Sequence, residues 1–206
     1  GARGVSAFAV PGSSAGLSGE AIDMVAPHVI GRIQFDDVFV ADNQLLGEEN
    51  RGFRVAMETL DLFRPSVGAF VVGMAQHALD LTVAHTSVRE AFGAPLRELQ
   101  AVQHKVADMA VKVEAARLLV YQAAECYDTG AEGLTGKSAM AKLFATESAQ
   151  QVVDDAIQLH GALALQKGHP LEELYREVRA PRIYEGATDV QKSIIARSVY
   201  SSGGQR

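Results

Sequence analysis

Two hydrophobic rhythms divide the chain. Up to about residue 48, short apolar runs alternate with polar positions. Beyond Gly47, apolar residues recur every third or fourth position. Residues 5–10 (VSAFAV) read as a short strand ended by Pro11-Gly12. Ile33-Gln34-Phe35 and the following residues 36–40 show two-residue spacing, broken by the acidic pair Asp36-Asp37. The Gly, Ser and Pro between these runs mark loops. This is too little sheet to stand alone. The helical part begins with Phe53, Met57, Leu60, Leu62 and Phe63, and Pro65 is expected to kink or restart that helix before it continues over 67–88. Residues 89–95 break the pattern. A second helix is expected over 98–128, with Val102, Val106, Met109, Val113, Ala116 and Val120 on one face. A break at 129–133 precedes a third helix over 134–161. A shorter helix follows over 170–179, with Pro170 at its first position, and a last one over 188–200. Three long helices with short breaks and a terminal pair predict a mainly α fold. It is an up-down four-helix bundle over 49–200, preceded by a partial β segment over 1–48 and followed by a disordered tail over 201–206.

Composition narrows the function. A length of 206 residues, 48% hydrophobic and 21% charged, suits a globular protein of one or two domains. The net charge of −6 (19 basic against 25 acidic residues) argues against a nucleic-acid surface. One cysteine, Cys126, excludes an intrachain disulfide and fits the cytoplasm or another reducing intracellular compartment. The longest apolar stretch, 67–75, is interrupted by glycine and is too short to span a bilayer, so no membrane span is expected. His77, His85, His104 and His160 are scattered on helices without ligand spacing, and no metal site is expected. No glycine-rich phosphate loop occurs. The chain begins at Gly1 rather than methionine, which reads as a processed, engineered or cut start.

One carboxylate stands out. Glu185, in Ile183-Tyr184-Glu185-Gly186-Ala187-Thr188-Asp189-Val190-Gln191, lies in a short break between helices and beside a glycine that permits a tight turn. A carboxylate held there and shielded from water suits a general base. The segment alone also reads as a solvated loop glutamate beside a helix-stop glycine. Arg89, at a helix end ahead of Phe92 and Gly93, offers a donor fork for a diphosphate. It equally reads as a helix-terminal arginine with a core phenylalanine behind it. Asp61 and Arg64 share a helix face, as a surface ion pair would. Gln158 and Gly161 read as a helix stop, and Thr188 as a good N-cap for the last helix.

Five motifs stand in order: Arg89 to Leu96 with Gln100 and Gln103, Ser138 to Lys142, Gln158 to Ala162, Leu174 to Glu177, and the Glu185 turn. In that order and spacing the chain resembles the acyl-CoA dehydrogenase family over nearly its whole length. The resemblance implies the C-terminal half of such an enzyme: the end of a middle β domain followed by the C-terminal helical domain. It implies FAD as cofactor, with Arg89, Phe92 and Gln100 holding the pyrophosphate and adenine half of a neighbouring subunit's flavin. It also places Gln158, Gly161 and Ala162 against adenosine, and Thr188 and Asp189 near the cofactor. Asp61, Arg64 and Gly186 would lie along an acyl-CoA thioester, and Glu185 would remove its α-proton. Three positions depart from the family pattern: Ala91 for a hydroxyl residue, Ala162 for a second glycine, and Ala187 for threonine. The implied partners are a second copy, as homodimer or dimer of dimers, and an N-terminal half or companion chain. FAD is therefore expected to be absent from or weakly held by this chain alone. A non-catalytic assembly module and an oxygen-using flavoprotein are the alternatives. Acyl chain length and electron acceptor are not readable.

Overall fold

A single helix, α1, runs from Gly52 to Val88, through Pro65, in the computed structural model, which describes residues 2–203. The helix does not restart at Pro65, which lies within it. Proline removes the N–H that would bond the carbonyl four residues back, here that of Asp61. That carbonyl finds another donor, because the Ser138 hydroxyl from a neighbouring helix donates to it at 2.8 Å. By length and composition α1 is also apolar enough to cross a membrane, which the 67–75 reading missed. Its apolar residues go instead to packing: Val71, Val72, Ala75, Ala78 and Leu79 belong to the main core cluster.

α2 (Gln100–Asp128) returns antiparallel to α1, and α3 (Leu134–His160) runs back parallel to it. α3 is the centre of the assembly, packed against α1, α2, α4 (Pro170–Glu177) and α5 (Thr188–Gly203). Its buried stripe is rich in small residues (Gly136, Ser138, Ala139, Ala141, Ala145, Ala149), so neighbouring backbones come close. Gly68 on α1 sits where a Cβ would lie 2.9 Å from Val120 on α2 and 3.5 Å from the Ala141 carbonyl on α3. A side chain at that crossing would push three helices apart. The consecutive long helices alternate in direction, giving the expected up-down bundle. α5 extends three residues past the expected end at residue 200, so part of the expected disordered tail is helical. Residues 204–206 lie outside the described residues.

The β part differs more. β1 (Ala7–Phe8) is shorter than the 5–10 run and pairs with β4 (Leu45–Leu46). β2 (Leu17–Ile22) lies in a stretch read as loop, and pairs antiparallel with β3 (Ile30–Phe35). The glycines and serine that signalled a loop sit on a two-stranded ribbon whose side chains are almost all exposed, where no alternating pattern is required. Residues 36–40, expected to extend a strand, turn away at Asp37, whose φ is 49°. The break after α1 holds a small hairpin, β5 (Glu90–Ala91) with β6 (Ala94–Pro95), closed by Phe92 and Gly93, both at positive φ.

Candidate active site

The Glu185 turn joins a 3-10 turn (Ala180–Arg182) to α5. Glu185 itself has φ 55° and Gly186 has φ 92°. A non-glycine residue in the left-handed region is held there by its surroundings. Those surroundings are two buried side chains from two helices. Gln191 of α5 donates from Nε2 to the carbonyls of Glu185 and Gly186, both at 3.0 Å. Lys142 of α3 donates from Nζ to the Gly186 carbonyl at 2.7 Å. A Cβ on Gly186 would lie 2.3 Å from Gln191 Nε2, so glycine is required for space as well as for φ. The Glu185 carboxylate is not used in this scaffold: its Oε2 is buried and without a hydrogen-bond partner.

Lys142 has 0% of its surface exposed. Burial pushes its ammonium down to about 8, while Glu185 and Glu147 favour the charged form and Arg64 opposes it. Arg64, 4% exposed, is paired to Asp61 at 2.9 Å, and its Nε is buried without a partner. Thr135 of α3 also donates to Asp61. The pair is thus part-buried, with Arg64 buried and Asp61 at 18% exposure, not the solvated surface pair the spacing allowed. A second network fixes the base of the turn. Arg182 and Thr188 both bond Glu147, with Arg182 Nη2 at 2.7 Å and the Thr188 hydroxyl at 2.6 Å. Burial pushes the Glu147 carboxyl up, but these hydrogen bonds and the Arg182 charge hold it below its ordinary value. Burial, then the charges of Glu177 and Glu185, push the Tyr184 phenol up, and its ring stacks on His28 at 5.2 Å.

Glu185, Gly186, Asp61 and Arg64 therefore gather at one place with Lys142 and Gln191. The sequence reading passed over those two residues as functional. Lys142 left a signal, because it falls in phase with the buried stripe of Ser138, Ala145 and Ala149, where an unpaired charge is costly. Gln191 left none that stands out in a polar helix start. Thr188 is not the N-cap: Ala187 holds that place, its carbonyl accepting from Gln191 N at 3.0 Å. Asp189 is exposed and pairs with Lys192.

The remaining expected cofactor residues lie at the other end of the bundle. Arg89 caps α1, Gln100 opens α2, and Gln158, Gly161 and Ala162 surround the exposed end of α3. Phe92 is 94% exposed at the hairpin tip, which removes the core-phenylalanine reading. Arg64 and Arg89 are 25 positions apart on one helix, roughly 37 Å at 1.5 Å per residue.

Three histidines meet beside that second cluster, so they are not all scattered. His85 stacks on His160 at 4.2 Å, and His160 meets His169 edge-on at 5.7 Å. Burial, then His160, Arg89 and His169, push His85 below its ordinary value of 6.5. Burial and His169 do the same to His160, against a bond to the Ala156 carbonyl. The unfolded chain takes up protons that the fold resists, so stability should fall as pH drops below the ordinary value of 6.5. Thermal unfolding of the complete protein between about pH 7.5 and 5.5 should show a shallower loss in His160→Phe than in the parent. Identical slopes would remove the trio as its source. Among the described residues no group of three His, Cys, Asp or Glu side chains is placed to hold a metal ion.

Comparison with known proteins gives these positions a context. Residues 50–200 match the family model described as acyl-CoA dehydrogenase, C-terminal domain. Over 202 residues the chain is 39% identical to cyclohexane-1-carbonyl-CoA dehydrogenase of Geobacter metallireducens, covering 97% of this chain and 53% of that protein. It is 41% identical to acryloyl-CoA reductase (NADH) of Anaerotignum propionicum, covering 97% and 51% respectively. The three-dimensional structure of butyryl-CoA dehydrogenase from Megasphaera elsdenii superposes with a TM-score of 0.93 at 34% identity, over 97% of this chain and 53% of that one. The chain thus spans about half the length of the relatives it matches. With the turn, the bundle and this match in agreement, the chain belongs to the acyl-CoA dehydrogenase family.

Proposed function

We propose that the chain is the C-terminal, base-bearing part of a flavin-dependent enzyme that acts on the α,β carbon–carbon bond of an acyl-CoA thioester. Glu185 is the residue that takes the α-proton. The observation that carries this reading is the buried, unpartnered Glu185 Oε2 on a turn fixed through its backbone. A base needs a free lone pair in a fixed place, shielded from water.

The α-proton of a thioester leaves only if the developing enolate oxygen meets hydrogen-bond donors. The backbone N–H of Glu185 supplies one. Arg64, with a buried Nε lacking a partner, and Asp61 line the same end and suit the polar arm of the thioester. FAD, when bound, supplies the acceptor for the β-hydride. The donors that suit its pyrophosphate and adenine are Arg89, Phe92, Gln100 and the Gln158 to Ala162 turn, with Thr188 and Asp189 beside the base. The exposed Phe92 ring and the exposed arginine fit a partner lying across that end. The roughly 37 Å between the two clusters supports their serving different flavins in a homo-oligomer. Exposed Phe70, Val83, Val88 and Val111 on α1 and α2 support burial against a second copy. By reversibility the same carboxyl would return a proton to the α-carbon in the opposite, reductive direction named for the reductase relative.

Anaerobic mixing of the complete protein with acyl-CoA thioesters of graded length should bleach the flavin absorbance. Retained flavin with no bleaching by any thioester would favour the assembly-module reading. The 206-residue chain alone, carrying part of the site, should lose FAD on gel filtration and elute at a mass above one copy. Affinity about a thousandfold weaker follows from losing several kcal/mol of preorganised contacts. A stoichiometric yellow fraction would contradict this, and a monomer mass would contradict self-association.

A further inference from the structure

We propose that Lys142 is a positioning residue of the Glu185 turn. Together with Gln191 it holds the turn's carbonyls from two helices. The inference rests on the reading of Glu185 as base. Lys142 reaches the Gly186 carbonyl from α3, and Gln191 reaches the same carbonyl and that of Glu185 from α5. Both side chains are fully buried at 0% exposure. A buried ammonium is costly, and this one donates its hydrogen bond to a neutral carbonyl rather than to a carboxylate. A carboxylate salt bridge would satisfy the ammonium better, yet it would occupy the lone pairs a base must keep free. The arrangement restrains the backbone and leaves Oε2 of Glu185 open. The charged groups around Lys142 are Glu185 on the turn, Arg64 from α1 and Glu147 from its own helix, with the neutral Gln191 from α5. Burial is the largest influence and pushes the ammonium down to about 8, while the two carboxylates favour the charge and the guanidinium opposes it.

The test uses the complete, flavin-loaded protein and four variants: Lys142→Met, Lys142→Arg, Gln191→Met and, as reference, Glu185→Gln. Flavin content, kcat and KM for acyl-CoA are measured for each. Lys142→Met should lower kcat about ten- to a hundredfold through misplacement of the base, with KM within about threefold and flavin retained. Gln191→Met should likewise lower kcat, since it removes a donor to the same carbonyls. Lys142→Arg keeps the donor and should recover part of the rate, which a loss of packing alone would not allow. An unchanged kcat in Lys142→Met, or a loss that follows flavin content, would overturn the inference while an inactive Glu185→Gln leaves the base reading standing. An active Glu185→Gln would overturn both. Should Lys142→Met fail to fold, Gln191→Met decides: a fall in kcat with KM and flavin intact supports the clamp, and normal turnover overturns it.

Discussion

Glu185→Gln in the complete protein abolishes turnover while flavin and acyl-CoA remain bound: that is the expected result with the largest effect. Glutamine keeps the shape of the side chain and leaves the carbonyls held by Lys142 and Gln191 untouched, but it accepts no proton. Removing a general base costs about 10² to 10⁴ in rate. The upper end or beyond is expected here, because the other carboxylates nearby are engaged: Asp61 with Arg64 and Thr135, Glu147 with Arg182 and Thr188. Glu177 is engaged with His28 at 3.2 Å. Asp189, the nearest rival, is exposed and paired with Lys192. Stopped-flow measurement of flavin reduction should show the loss in the rate constant and not in the thioester concentration at half-saturation. Asp189→Asn should be near normal. If the two variants exchange roles, the base has been misassigned.

Asp61→Ala carries the largest expected cost in stability. Its partner Arg64 is 4% exposed, and Lys142 is a second buried cation nearby. Removing the partner of a buried charge leaves that charge uncompensated, at about 3 kcal/mol or more. Asp61→Asn should cost less, since an amide oxygen still accepts hydrogen bonds. The double variant Asp61→Ala/Arg64→Met should recover part of the loss, because no buried charge is then stranded. Urea unfolding of the three proteins gives the comparison. A loss below about 1 kcal/mol for Asp61→Ala would mean that Arg64 finds water or another partner, and that the pair is far less sequestered than its burial indicates.

The helices were legible because a 3.6-residue period persists through α1, α2 and α3 whatever the tertiary context. The run of α1 through Pro65 was not legible for the opposite reason: local rules kink or restart a helix there, and the Ser138 hydroxyl is 77 positions from the carbonyl it serves. β2 was invisible, and only residues 33–35 of β3 were read, because neither face of the ribbon is buried and little imposed alternation. Within the site, the Glu185 turn stood out in its own segment, but only the family resemblance along the whole chain separated a base from a solvated loop glutamate. Asp61 with Arg64 was readable as a pair, but not as a part-buried one. The depth of a helix face is decided by neighbours, and the i, i+3 spacing carries no information about it. Lys142 and Gln191 were missed for a related reason. Their function is to hold a backbone that lies 44 and 5 positions away, and a backbone carbonyl has no signature in sequence.

The bond from Ser138 to the carbonyl freed by Pro65 makes Asp61 answerable to α3. The residue that neutralises Arg64 belongs to α1, yet its own carbonyl is satisfied by α3 and its carboxylate by Thr135 of the same helix. The α1–α3 seam below Gly68 is therefore a lever arm on the charge balance around Glu185. Substitutions along it that touch neither substrate nor base should be read first as shifts of Asp61, and only then as losses of packing.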